Sequence, residues 1–342
     1  MSTKKIVFLA HDPGGYDVVY LVFEAIQQTS IPLEFYCIGP AAKLNDAYAT
    51  PKEEALEKIE NIIANQQLLG LVTGRSWGTD IELHAISRCK KANIPTILIL
   101  DYWSNYALEF NNSPNICAYP DYYIVMDELA KKEAISEGVP SNILYALGHP
   151  GLDRFVNYKR IKHQKSNSKR KALFLSQPLS QLYGQSLGYT ERSVLEDYIL
   201  ALQSKKNWSL YVKFHPKDDM SFKQRYIDRS VQGNLIEILP EFDLIIGMNT
   251  IGLLHAVLMD LPTVSYQPNL RQADMCITNK LGLTKLLTSY EELLVYFNGL
   301  CKEQNKEQNN VIKNLQQKFI WFDGHSTERV SRFIREVFLH EN

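Results

Sequence analysis

The strongest constraint on this chain is an alternation that runs along the sequence and then starts over. Short apolar runs at Lys5–Ala10 (KIVFLA), 33–38, 70–73, 96–100, 122–126 and 143–146 are separated by stretches of helical spacing at 17–28, 52–65, 79–92 and 128–137. Runs with no polar alternation read as strands buried on both faces, and the interleaved helices are the crossovers such strands require. The pattern predicts βαβ units and a parallel sheet, with ligand-handling groups in the loops at the carboxyl ends of the strands.

The stretch 156–171 (VNYKRIKHQKSNSKRK) interrupts the alternation. It is polar, basic and rich in Ser and Asn, the composition of an exposed linker. No aromatic ladder is interleaved with its charges, as a single-strand nucleic-acid platform would need. Beyond it the pattern resumes, with strands expected at 172–176, 209–214, Leu235–Ile238, Leu244–Gly247 and Thr263–Tyr266. Helices are expected at 190–204, 222–230, 250–259 and 290–300, and the tail 303–339 has a helical pattern broken at Asp323–Gly324. Its KEQNKEQNN segment is a local duplication on a solvated face.

At about 150 residues per domain, 342 residues suggest two domains. The expected division is a Rossmann-like lobe at 1–155, a linker at 156–171, a second lobe at 172–322 and a C-terminal helix at 323–342 that crosses back to the first lobe. The fold class is therefore α/β: two Rossmann-like parallel-sheet lobes facing a central cleft, with a helical tail.

Charge bounds the partners. Lys plus Arg is 37 and Asp plus Glu 38, a net charge of −1, so no basic field is available for general nucleic-acid binding. Local basic pockets are untouched by that argument. The five cysteines (Cys37, Cys89, Cys117, Cys276, Cys301) are scattered and contain no CxxC pair, which argues against a zinc ribbon and for reduced, buried thiols. The apolar N-terminal run is cut off by His11 and Asp12, too early for a signal h-region, and no run approaches the roughly 18 residues of a membrane span. The expectation is a cytoplasmic protein, with peripheral membrane association left open.

Several chemistries lose their signature. There is no P-loop, no HExxH, no GxSxG elbow, no GxGxxG after the first strand and no Asp-x-Asp pair. A two-lobed α/β protein without these must meet an anionic ligand with backbone amides, His, Lys and hydroxyls, and no metal or other cofactor is expected.

Three segments remain. His11-Asp12-Pro13-Gly14-Gly15 joins the first strand to the first helix. Its glycines let backbone N–H groups approach a ligand, and His11 or Asp12 can serve as a general base; the alternative is a tight turn with Asp12 capping the helix. Lys213-Phe214-His215-Pro216-Lys217 ends a strand of the second half. Pro216 stops the strand and aims His215 at the carboxyl edge, and Lys213 or Lys217 can add charge for a phosphate. Gly247-Met248-Asn249-Thr250 then runs from strand to helix. Asn249 or Thr250 at the helix N-cap makes a phosphate seat, and His255 reads as a core histidine.

The segments Gln177-Pro178, His215-Pro216, Gly247-Met248-Asn249-Thr250 with Ala256, and Leu261-Pro262-Thr263-Val264 resemble the C-terminal lobe of two-lobed GT-B glycosyltransferases. The resemblance is to bacterial sialyltransferases, capsule transferases and CDP-glycerol transferases, which carry His-Pro and Ser/Thr motifs. It implies that His215, Pro216, Lys217, Gly247, Asn249 and Thr250 hold the nucleotide and phosphate of an activated sugar donor. In the first half, 120–128 (PDYYIVMDE), Gly138 and 147–153 (LGHPGLD) resemble the same superfamily, including UDP-GlcNAc 2-epimerases. The Asp323–Arg329 tail (DGHSTER) resembles the ending of CDP-glycerol transferases. The sialyltransferase acid-acid-Gly motif and the epimerase set of acids with a Ser-Gly-Gly turn are missing, so the base is not carried over.

Candidates for the base are His11, Asp12 and Asp101. Asp101 opens the run Asp101-Tyr102-Trp103-Ser104-Asn105-Tyr106, whose rings suit a pyranose face and whose Asn105 suits hydroxyls. Gly14, Gly15, Arg75, Trp77, Trp103 and Asn105 form the expected acceptor side. The resulting expectation is a metal-independent, inverting glycosyltransferase, moving a sugar from a CMP- or UDP-linked donor to a carbohydrate-type or other hydroxyl acceptor in surface polysaccharide synthesis. A nucleotide-sugar hydrolase or 2-epimerase of the same fold is one alternative, and a two-lobed binding protein is another.

Overall fold

In the computed structural model, the described residues are 4–76, 79–107, 110, 119–156, 169–299 and 319–339. They form two parallel sheets in two compact units, Met1–Arg154 with Gln316–Asn342, and Phe155–Leu315.

The first sheet comprises β1 (Lys5–Ala10), β2 (Leu33–Cys37), β3 (Leu68–Thr73), β4 (Thr96–Ile99), β5 (Tyr122–Val125) and β6 (Leu144–Ala146), in the order β2-β1-β3-β4-β5-β6. All its pairings are parallel. β1 lies between β2 and β3 and is buried from Ile6 to Ala10, which is why its sequence is apolar without alternation. Helix Pro13–Gln27 starts with Pro at its first turn, where a missing N–H costs nothing. Its Tyr16, Val19, Phe23 and Ile26 are buried on one face. Phe23 meets Phe8 edge-on at 5.3 Å and stacks on Phe35 at 5.1 Å.

Helix Ser326–Leu339 adds Val330, Ile334 and Phe338 to this same core. Asp153 anchors its start, accepting from the N–H groups of Ser326 (3.1 Å) and Thr327 (2.7 Å). Just before it, Trp321 is fully buried and donates to Asp127 at 2.8 Å. Phe319–Phe322 thus fall with the first unit, whereas the sequence places them in the second lobe. The indole, too large to leave in water, carries the segment with it.

The second sheet comprises β7 (Arg170–Leu175), β8 (Trp208–Lys213), β9 (Leu244–Gly247), β10 (Thr263–Tyr266) and β11 (Lys285–Leu287), in the order β11-β10-β9-β7-β8. Its pairings are parallel as well. Helix Glu191–Gln203 covers it, held at its start by a capping box between Thr190 and Ser193. Tyr198, Phe174 and Tyr266 pack within the core.

Three expectations are corrected. Leu235–Ile238 is a helical turn, because Asn234 caps it by accepting from Ile236 N and Leu239–Glu241 continues as a 3-10 turn. A four-residue apolar run carries too little periodicity to tell the two apart. The short edge strand Lys285–Leu287 had no sequence signal. Arg170 and Lys171, expected in the linker, belong to β7: the Arg170 guanidinium lies over the Trp208 ring, and Lys171 N donates to Asp243 at 2.8 Å. The rest of the expected linker, 157–168, lies outside the described residues. Cys37, Cys89 and Cys276 are free and buried, while Cys117 and Cys301 also lie outside the described residues. Among the described residues, no helix is long and apolar enough to cross a membrane.

Candidate functional site

Each sheet reverses its strand order once: between β1 and β3 in the first unit, and between β7 and β9 in the second. In open α/β sheets such switch points leave a crevice at the carboxyl ends of the strands, where ligands bind. The candidate residues gather at these two places.

In the first unit, the loops after β1, β3 and β4 converge on the start of helix Pro13–Gln27. A β-carbon on Gly15 would lie 2.8 Å from Arg75 O, and one on Gly74 would lie 2.6 Å from Gly15 Cα. A β-carbon on Gly14 would overlap the Asp101 carboxylate. The glycine pair therefore admits the protein's own Asp101 and Arg75 backbone, a role distinct from the ligand approach read in the sequence. Burial pushes the Asp101 carboxyl up to about 6, against the pull of the Arg75 guanidinium and with added repulsion from Asp12 and Asp17.

His11 Nδ1 and Asp12 Oδ1 are 2.8 Å apart, and the Asp12 side chain makes no cap bond to the helix. Asp12 N donates to Ser76 Oγ at 3.3 Å, and Ser76 in turn bonds the buried Glu82. The His11 ring rests against Gly39 beyond β2, whereas Asp101 rests on Gly14. Asp101 is thus the carboxylate at the helix start, and His11–Asp12 forms a separate pair beside it.

The aromatic loop differs from its sequence reading. Trp103 is buried and donates Nε1 to Asp127 at 3.0 Å, while its ring stacks on His149 at 5.9 Å. It anchors the loop and offers no face to a sugar, because an indole N–H buried here must find an acceptor. Tyr106 is buried too and donates to Glu133 at 2.7 Å. Asn105 is exposed and takes a left-handed conformation (φ 55°), so it serves the turn. Arg75 is buried and donates to Ser104 O at 3.1 Å, tying the β3 loop to the β4 loop. Trp77 lies outside the described residues.

His149, which the sequence reading did not treat as a site residue, donates from Nε2 to Asp101 O at 2.8 Å. The carbonyl can only accept, so the proton sits on Nε2, and burial pushes the imidazole pKa down.

In the second unit, Asn249 N donates to Gln177 Oε1 at 3.2 Å, joining the loops after β9 and β7 across the switch point. Thr250 caps helix Ile251–Leu258 by accepting from Gly252 N. Ser265 Oγ donates to Met248 O and fixes the turn from behind at 2.5 Å. Gly247 is buried at the end of β9, and a β-carbon there would crowd Leu253 at 3.2 Å, so it answers a packing need.

His215 accepts Lys217 N at Nδ1 (3.1 Å), which leaves the proton on Nε2, and burial pushes its pKa down. Pro216 and Lys217 are exposed. Lys213 is committed to Gly233 O at 2.8 Å. His255 stacks on Phe155 at 3.9 Å. Asp218, missed in the sequence although it follows the His-Pro pair by two positions, is buried and accepts His215 N at 2.8 Å. Ser176, also missed, is buried at the end of β7.

No protein-family model and no curated protein sequence matches the chain. Solved structures do match over nearly its whole length. A UDP-GlcNAc 2-epimerase from Methanocaldococcus jannaschii is similar with a TM-score of 0.68 and 13% identity, covering 96% of this chain and 99% of the other. One from Neisseria meningitidis, bound to UDP-GlcNAc, has a TM-score of 0.63 and 10% identity, covering 98% and 100%. The glycotransferase of kitacinnamycin has a TM-score of 0.64 and 10% identity, covering 99% and 100%. At these identities the likeness establishes the fold: two Rossmann-like α/β units of the GT-B type.

Proposed function

We propose that this chain is an enzyme acting on a nucleotide sugar, and within that class a glycosyltransferase. The observation that carries the reading is that both switch points are furnished: a carboxylate with a raised pKa at one, and a capped helix start with a neutral histidine donor at the other. The bound UDP-GlcNAc of the Neisseria structure lends support.

The second unit takes the donor. Its phosphate oxygens meet the positive end of helix Ile251–Leu258, the His215 Nε2–H and the Asn249–Thr250 turn. The first unit takes the acceptor. Asp101 accepts the proton of an acceptor hydroxyl as that oxygen bonds the anomeric carbon. The carbon–oxygen bond to phosphate breaks, its electron pair stays on the phosphate oxygen, and the configuration inverts. The phosphate charge is met by fixed dipoles, so the step proceeds without a metal.

A second reading, epimerisation, is favoured by the fold likeness to the two epimerases and by Asp101, whose raised pKa also suits taking a proton from carbon. Product analysis separates the two. Incubation with UDP-GlcNAc or CMP-linked sugars is expected to give a glycosylated acceptor and little change without one. An epimer or free sugar formed as fast without acceptor overturns transfer.

A further inference from the structure

One side chain reaches from the loop after β6 to the loop after β4. His149 is buried, and its Nε2–H donates to the main-chain oxygen of Asp101 at 2.8 Å. Its Nδ1 is buried with no hydrogen-bond partner, so the ring has no route for passing a proton to a ligand. The imidazole holds a peptide and takes no part in proton transfer.

The holder is itself held. Its ring stacks on Trp103 with planes 14° apart, and Trp103 is fixed to Asp127. A β-carbon on Gly151 would lie 3.1 Å from His149 Cε1, so that glycine leaves room for the ring. Around it, Arg329 Nε donates to Leu147 O at 2.9 Å, and Asp153 accepts from Ser326 N and Thr327 N. Gly148 (φ 104°) lies against Ser326, where no β-carbon would fit. On the other loop, Leu100 N donates to Ile124 O at 3.0 Å, so the backbone is tied down on both sides of the Asp101 Cα. A peptide is planar, so fixing its oxygen fixes the direction in which the preceding side chain leaves the chain.

We propose that His149 is a positioning residue for Asp101: its bond to the Asp101 carbonyl aims that carboxylate at Gly14 and the start of helix Pro13–Gln27. The inference rests on the reading of Asp101 as the general base, and it adds the residue that keeps the base in place.

The test is a carbon NMR titration of the full chain labelled at its aspartate carboxyls, with Asp101→Asn assigning the resonance. Arg75, Asp12 and Asp17 act on Asp101, and Asp153 and Arg154 on His149; the His149 variants leave all five in place. The wild-type carboxyl is expected to titrate at about 6. His149→Gln keeps an N–H within reach of the carbonyl and should leave that midpoint within about 0.3 pH unit. His149→Phe keeps a ring on Trp103 but has no donor, so the freed carboxyl turns to water and its midpoint should fall by about one pH unit or more. An unmoved midpoint in His149→Phe, or an equal fall in both variants, overturns the positioning role. Where His149→Phe does not fold, His149→Asn, too short to reach the carbonyl, takes its place. If neither folds, His149 serves stability alone and the proposal is overturned. A wild-type midpoint near 3.8 overturns the placement of Asp101 and the role of His149 together. Turnover of UDP-GlcNAc or CMP-linked sugars tests the base reading separately. Full activity in Asp101→Asn overturns that reading and leaves the positioning result standing. With Asp101→Asn inactive, His149→Phe should lower kcat at least about tenfold with KM little changed.

Discussion

The Asp101 carboxylate occupies the space that any side chain on Gly14 would need. Because Gly14 lies in the first turn of helix Pro13–Gln27, the contact sets the carboxylate at that helix start. Replacing glycine by alanine inside a helix normally stabilises by about 0.5–1 kcal/mol. Gly14→Ala should do the reverse, lowering stability by roughly 1–3 kcal/mol as the β4 loop is pushed away. Chemical denaturation checks the sign, and a stabilised variant would remove the contact from the account.

Asp101 also makes stability depend on pH in an unusual direction. Its carboxyl rises from 3.8 to about 6 on folding, so between those values the folded state holds more protons than the unfolded chain. Its contribution is therefore most favourable below pH 3.8 and is lost as pH rises to about 6. Asp101→Asn removes that cost and should raise stability at pH 7 by about 1 kcal/mol, after allowing for its partial contact with solvent. The same variant should lower kcat by about 100-fold or more. A variant that is both stabilised and inactive is the expected signature; full activity would dismiss Asp101 as base.

In the wild type, activity should rise with pH through about 6 as Asp101 ionises. Burial pushes the His215 pKa down from the ordinary imidazole value, so its titration falls on the acid side of that value. A kcat profile flat through pH 6 would contradict the assignment.

Asp127 binds two indoles at once, from Trp103 at 3.0 Å and Trp321 at 2.8 Å, and it also caps helix Glu128–Ser136. Trp321→Phe keeps most of the packing and removes one donor, so it should cost about 1–3 kcal/mol. Hydrogen exchange should quicken at the described loop residues 101–107, since Trp103 shares the acceptor. Unchanged exchange there would show that the C-terminal segment and the loop are energetically independent.

Much of the fold was legible because parallel strands buried on both faces leave unbroken apolar runs such as KIVFLA and LIIG. The failures came where that signal is weakest. LIEI was too short to distinguish a strand from a turn, and KLL at a sheet edge carries no pattern. The site was less legible for a different reason. Sequence shows which residue types stand at strand ends, and on that ground it offers His215, Asn249, Thr250 and Asp101 as candidates. It does not show which of them a neighbour has already claimed. Trp103 read as a sugar platform and is consumed by Asp127; Gly14 and Gly15 read as ligand approaches and are filled by Asp101 and Arg75. Asp218 lay beside a recognised pair of residues, and only its burial and the bond it accepts from His215 N single it out.

The central claim is that the second unit's switch point holds a nucleotide through His215 and the Thr250-capped helix. Thermal unfolding with CMP, CDP, UMP, UDP and GDP, on wild type and His215→Ala, tests it most directly. A rise in Tm with a cytidine or uridine nucleotide, largely lost in His215→Ala, is the expected result. No shift with any of the five, or an equal shift in the variant, would contradict it.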